Sequence, residues 1–294
     1  MGEIRPTPGN PGVELDEVSG SAIYVTYDGK RRLVPLEPAA TPVDGYGAPS
    51  RLVHARARVV PYADRAGLLV GLHGWLAAPE GFSGWVIVGP SGAGKTRVGV
   101  ELCEAAGRIG WLAGLLARRI DPAALEELVG VPTPRLVVVD CADSRAEQLE
   151  VVLPALAARA TPAHPVRVLL LVRAGAGHSA DWTEAQGRRG GVLAGAETRV
   201  LDQPLTAGER QHLFRAAVGA FATHPMTLPP DGLDAPVFAG PLPVVISAYL
   251  AARESRPTYR PASTSCSRAL PGTRTATGWL SIRMWAPTAP CAAG

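Results

Sequence analysis

Apolar residues follow two rhythms along the chain. Between residues 51 and 254, short, mostly apolar runs alternate with longer stretches in which apolar positions recur every three or four residues. Runs at 85–88, 110–116, 136–139, 166–172 and 198–201 are rich in Val, Leu and Ile and too short for helices. They predict strands buried on both faces. Residues 66–77, 96–108, 144–160 and 244–253 carry the helical period. Asp121-Pro122 places a capping acid before a proline at the first helical position and opens a helix to about residue 129. Thr206 and Glu209 form a capping box that opens another to about residue 222. Strands alternating with helices predict an α/β fold: an αβα sandwich on about five mainly parallel strands, followed by a small C-terminal helical lid.

The flanks read differently. Residues 1–50 form a Pro/Gly-rich leader, expected to stay partly unordered, with one hairpin signal: apolar runs at 23–27 and 31–36 flank Asp28-Gly29. The expected divisions are leader 1–50, nucleotide-type domain 51–205, lid 206–254 and tail 255–294. The tail has no Asp or Glu but eleven Ser or Thr and five Arg. It reads as a disordered segment or as the product of a frameshift near residue 253. Residues 263–278 admit codons that spell an aromatic, charged helix in another frame, and the ancestral chain would then continue into a sensor region.

Composition narrows the class without naming it. The chain has 294 residues, 47% hydrophobic and 19% charged, enough for a core. A net charge of +3 is too small to indicate a nucleic-acid groove or an anionic membrane surface. No signal-peptide pattern or membrane-length apolar run is visible, and Cys103, Cys141, Cys266 and Cys291 lack metal-ligand spacing, so a cytoplasmic location is expected. Only two of the 29 basic residues are lysines, Lys30 and Lys95. The arginine excess reads as a codon signature of a GC-rich gene.

One motif carries chemistry. Gly89, Pro90, Ser91, Gly92, Ala93, Gly94, Lys95 and Thr96 fit the phosphate-binding loop G-x-x-x-x-G-K-[ST], with a strand before it and a helix after. Its glycines allow backbone N–H groups to turn inward around phosphate oxygens, and the helix N-terminus adds partial positive charge. Lys95 is assigned to the β and γ phosphates and Thr96 to Mg²⁺. The apolar strand ending in Asp140 supplies a second Mg²⁺ ligand. Cys141 follows where many ATPases carry a water-orienting Glu, and Asp143 is the candidate substitute. Arg173, at the carboxyl end of the next buried strand, is placed to sense a γ-phosphate.

With these residues the chain resembles the P-loop NTPase module of the STAND class of signal-transduction ATPases from high-GC actinobacteria. The resemblance spans about residues 51–253 and rests on Val59 to Arg65, Gly89 to Thr96, Gly110 to Gly114, Val138 to Asp143 and Leu169 to Arg173. It implies that Val59, Val60 and Arg65 lie near the bound nucleotide. It also implies a helical lid whose proline touches the base, with Pro243 in Gly240-Pro241-Leu242-Pro243 the nearer match. The departures are Asp64, where glycine is usual before the arginine, and the acid displaced to Asp143.

The expected function is a Mg·ATP-binding, slowly hydrolysing regulatory switch, truncated before its sensor repeats and acting with a protein partner or by self-association. The absence of an N-K-x-D-like guanine-reading motif favours ATP over GTP. The alternatives are a nucleotide-binding module without turnover and a small-molecule phosphotransferase. Input signal, effector and oligomeric state are not legible in the sequence.

Overall fold

The computed structural model describes residues 13–18, 22–41, 43, 48–64, 67–173, 191–193, 195–221 and 232–254. The tail and its proposed frameshift lie outside the described residues. So does Arg65.

The elements follow the sequence rhythm closely. A first, small sheet holds β1 (Glu14–Val18), β2 (Ala22–Tyr27) and β3 (Lys30–Val34), all antiparallel. The β2–β3 turn is the expected Asp28-Gly29, with φ of 51° and 70°, the geometry whose twist matches a two-residue hairpin. A second sheet holds six strands in the order β4-β6-β7-β8-β5-β9. Its members are β4 (Leu36–Glu37), β5 (Phe82–Gly89), β6 (Leu112–Leu116), β7 (Arg135–Asp140), β8 (Val166–Arg173) and β9 (Glu197–Val200). The five expected strands are the five parallel ones; β4 is an added antiparallel edge strand.

The helices are α1 (Pro49–Leu52), α2 (Leu68–Leu76), α3 (Lys95–Arg108), α4 (Pro122–Gly130), α5 (Ala146–Ala158), α6 (Ala207–Phe221) and α7 (Pro241–Glu254). Two of them begin with the expected caps. Asp121 accepts the N–H of Ala123 at 3.1 Å. Thr206 and Glu209 exchange bonds reciprocally, Glu209 accepting the Thr206 N–H at 2.7 Å and Thr206 the Glu209 N–H at 3.2 Å.

Side-chain alternation splits the sheet into two buried faces. Val86, Val88, Val137, Val139, Val168, Leu170 and Val172 face a core shared with α4, α5 and the small sheet. Trp85, Ile87, Leu136, Val138, Leu169 and Leu171 face a core shared with α2 and α3. This is the αβα sandwich. Residues 22–37, read as part of the leader, supply β4 to the main sheet and Ile23, Val25, Val34 and Leu36 to its core. A third cluster joins Val60 to Leu205, Phe214, Ala217, Val218, Leu233, Val244 and Ala248, so α6 and α7 have a core of their own.

Three arginines are buried within this frame. Arg167 is fully buried and donates to the carbonyls of Trp75, Ala78 and Glu80, where α2 ends. Arg135 donates to Leu128 and Val129 at the end of α4. Burial pulls its guanidinium down to about 10, still charged at neutral pH. Arg145 holds the carbonyls of Leu116 and Ala117 at the end of β6. The codon reading of arginine is thus corrected for these three positions: each donates to main-chain carbonyls at a helix or strand end.

Arg167→Ala removes hydrogen bonds to three main-chain carbonyls and is expected to lose about 3 kcal/mol in urea unfolding. Arg167→Lys should recover only part of it, because an ammonium lacks the flat fork that spans several acceptors. A loss below about 1 kcal/mol for the alanine variant would refute this role.

Candidate functional site

The site lies along the carboxyl edge of the parallel strands. β5 ends at Gly89 and α3 begins at Lys95, so residues 89–96 are the turn between them. Gly92 and Gly94 have φ of 79° and 95°, a region that side chains occupy only at a cost. Those glycines shape the turn expected of a phosphate-binding loop.

Lys95 is buried, 7% exposed, and its ammonium donates to the carbonyls of Gly89 at 2.7 Å and Pro90 at 2.9 Å. Burial draws its pKa below the usual lysine value, and the negative charge of Asp140 opposes that shift. Thr96 donates its hydroxyl to Asp140 Oδ2 at 3.1 Å. β5 and β7 are not neighbours; β8 lies between them. The contact is therefore made by tertiary structure, across one intervening strand.

Asp140 also accepts the N–H of Cys141 on its other oxygen at 3.0 Å. Cys141 sits in the left-handed region, with φ of 53°. Burial raises its thiol pKa, and Asp140 raises it further, so the thiol stays protonated and is a poor nucleophile. Asp143, in the short turn Ala142–Ser144, pairs with Arg173 at the end of β8. Arg173 faces Gly89 in the β5–β8 register. Lys95, Thr96, Asp140, Asp143 and Arg173 are thus gathered on one edge.

Val60 is buried, 8% exposed, in the core of α6 and α7. Pro243 lies half-buried in the first turn of α7. The described contacts to the loop come from its neighbours instead. Leu242 donates its N–H to Gly92 O at 3.3 Å, and Pro241 and Gly240 lie against Gly94 and Gly92. Pro243 is expected at the base, not at the loop, and the loop contacts described do not bear on it. Asp64, the departure from the family pattern, accepts the Leu69 N–H at 3.1 Å near the start of α2.

Arg58 was not singled out by sequence. It bridges to Glu101 at 3.1 Å and to Glu104, both on α3, while Arg97 meets Glu101 at 2.8 Å. This network ties the segment leading into Val59 and Val60 to the helix that carries the loop. Its only sequence signal is Arg97–Glu101 at helical spacing.

Thr96 Oγ1 and Asp140 Oδ2 form an oxygen donor set suited to a hard divalent cation such as Mg²⁺. Among the described residues no cluster of three His, Cys, Asp or Glu could hold a metal. No helix of the described residues is long and apolar enough to cross a membrane.

No protein-family description matches the chain, and no curated protein matches it. Among solved structures, a chain from a study of katanin self-assembly is 16% identical, with a TM-score of 0.47, over 78% of this chain and 85% of that one. PCH-2 of C. elegans is 13% identical, with a TM-score of 0.40, over 69% of this chain and 61% of that one. This chain therefore spans about three fifths of the PCH-2 chain.

Gly92 meets both constraints, a positive φ and a neighbour, since an added Cβ would stand 3.2 Å from Leu242 Cβ. Gly92→Ala is expected to cost about 1–2 kcal/mol in urea unfolding. Gly219→Ala, in open space within α6, should instead gain about 0.5–1 kcal/mol. Equal effects at the two positions would refute the assigned strain.

Proposed function

We propose that this chain is a P-loop ATPase module of the AAA-like, STAND-class kind: it binds Mg·ATP, hydrolyses it slowly, and acts as a regulatory switch. The observation that carries this reading is the 3.1 Å contact between Thr96 and Asp140 beside the buried Lys95. Two oxygen ligands and a cation stand where the loop would hold a polyphosphate.

On binding, the Lys95 ammonium exchanges the carbonyls of Gly89 and Pro90 for phosphate oxygens. The N–H groups of the loop and the first turn of α3 add donors and partial positive charge. Thr96 and Asp140 would hold Mg²⁺, which when bound neutralises charge on the phosphates. Val60 and the start of α7 are the nearest candidates for contact with the base, and Arg65 extends that expectation.

Slow turnover follows from the acids. Cys141 offers no carboxylate, and both oxygens of Asp143 accept hydrogen bonds from Arg173. Asp143 is thus engaged by Arg173 before any water is held. A switch role is supported by the seam between Gly92 and Leu242, through which the loop touches α7 directly. A protein partner or self-association would then read the position of the lid, and a cytoplasmic setting fits such a role.

Calorimetric titration tests the assignment. Wild type should bind Mg·ATP, and Lys95→Ala should weaken binding at least about a hundredfold, roughly 2.7 kcal/mol. Equal, tight binding by both would refute the loop assignment. Phosphate release should run far below the roughly 10 s⁻¹ typical of enzymes. Its complete absence would leave a binding module without turnover. Asp140→Asn should abolish the gain in nucleotide affinity on adding Mg²⁺ over EDTA. A gain as large as that of wild type would remove Asp140 from the metal site.

A further inference from the structure

β8 ends in Arg173, and the turn after β7 carries Asp143. The two are joined three times. The Arg173 main-chain N–H donates to Asp143 Oδ1 at 3.1 Å, and its side chain donates to Oδ2 through Nε at 3.0 Å and Nη2 at 2.9 Å. One residue thus occupies both oxygens of the carboxylate. A carboxylate has about four acceptor sites and Arg173 takes three of them, so holding Arg173 is the main task this geometry gives Asp143.

The pair also stands beside the loop. Arg173 is the register partner of Gly89, the loop's first residue, and neighbouring parallel strands lie about 4.8 Å apart. The charges of both Asp143 and Arg173 reach Lys95. The Arg173 side chain is 43% exposed and that of Asp143 23%. Water therefore screens the pair, and its bonds are readily exchanged. A guanidinium bonded to a phosphate oxygen meets a more highly charged acceptor than a single carboxylate. A terminal phosphate next to Gly89 would compete with Asp143 for Arg173.

Resting on the nucleotide reading above, we propose that Asp143 is a positioning residue: it holds Arg173 beside the phosphate loop and yields it to the terminal phosphate of a nucleoside triphosphate. A diphosphate lacks that group and leaves the pair joined. Asp143 therefore weakens triphosphate binding more than diphosphate binding, through competition for Arg173 and through its own negative charge. The pair sets how far the site prefers one nucleotide over the other.

The test is a double-mutant cycle on the full chain, with calorimetric Kd values for Mg·ADP and for a non-hydrolysable Mg·ATP analogue. Asp143→Asn is expected to raise the triphosphate preference about five- to tenfold, and Arg173→Ala to lower it about tenfold. In the Arg173→Ala background, Asp143→Asn should change the preference by less than about twofold. Asp143→Glu, which keeps charge and acceptors, should restore wild-type behaviour. Arg173→Lys leaves Asp143 untouched, so it tests the proposal even if Asp143→Asn does not fold. It should lower the preference about threefold, since it loses the fork that competes for two acceptors.

An unchanged preference in Asp143→Asn or in Arg173→Lys overturns the proposal, as does an equal effect of Asp143→Asn with and without Arg173. So does a fall in kcat of about a hundredfold for Asp143→Asn with unchanged binding, which would mark a catalytic base. A wild-type chain that binds neither nucleotide overturns the proposed function itself, and this inference with it.

Discussion

The Thr96–Asp140 contact joins the ends of two strands that do not touch, because β8 is inserted between β5 and β7. In a parallel sheet every strand delivers its last residue to the same edge. Register then sets the height of each group: Gly89 stands level with Arg173, and Asp140 with Leu171. The loop cannot reach across β8 through the backbone. It does so because α3 lies low over the sheet. Gly99 permits this, since a Cβ there would come within 2.9 Å of Val138. Close packing of one helix thus brings a hydroxyl to a carboxylate two strands away.

The same frame depends on buried cations with few carboxylate partners. Arg135, Arg145 and Arg167 spend their donors on main-chain carbonyls at element ends. Burying a guanidinium is costly unless its N–H groups are satisfied. Carbonyls at helix C-termini carry partial negative charge and lack intrahelical partners, so each side resolves the other's deficit. Burial still lowers the pKa of all three. Arginine tolerates this because its ordinary value is so high.

At the site, Lys95 and Arg173 face Asp140 and Asp143, and these charges lean on one another and on loop carbonyls. A polyphosphate would alter that balance at once. The element best placed to register the change is α7, whose first turn is hydrogen-bonded to Gly92. The core of α6 and α7 includes Val60, which precedes α2 in the chain. Arg58 anchors that segment to α3 through Glu101. The loop, α7 and the segment around Arg58 and Val60 are therefore connected through short, specific contacts.

Local information determined the secondary structure and most of the chemistry. Apolar runs at 136–139 and 168–172 are satisfied by burial on two faces, and caps such as Asp121 and Thr206 act within a few residues of themselves. The loop is legible because glycine, lysine and threonine must occur at fixed spacing in one turn. What tertiary structure alone decided are the relations between distant residues: strand order, the Thr96–Asp140 contact, the capture of Asp143 by Arg173, and the Leu242–Gly92 seam. The capping arginines belong here too, since their carbonyl partners stand on other elements. Such choices depend on which surfaces meet in the folded chain. Composition and periodicity describe only how each segment presents itself, and carry no record of its neighbour.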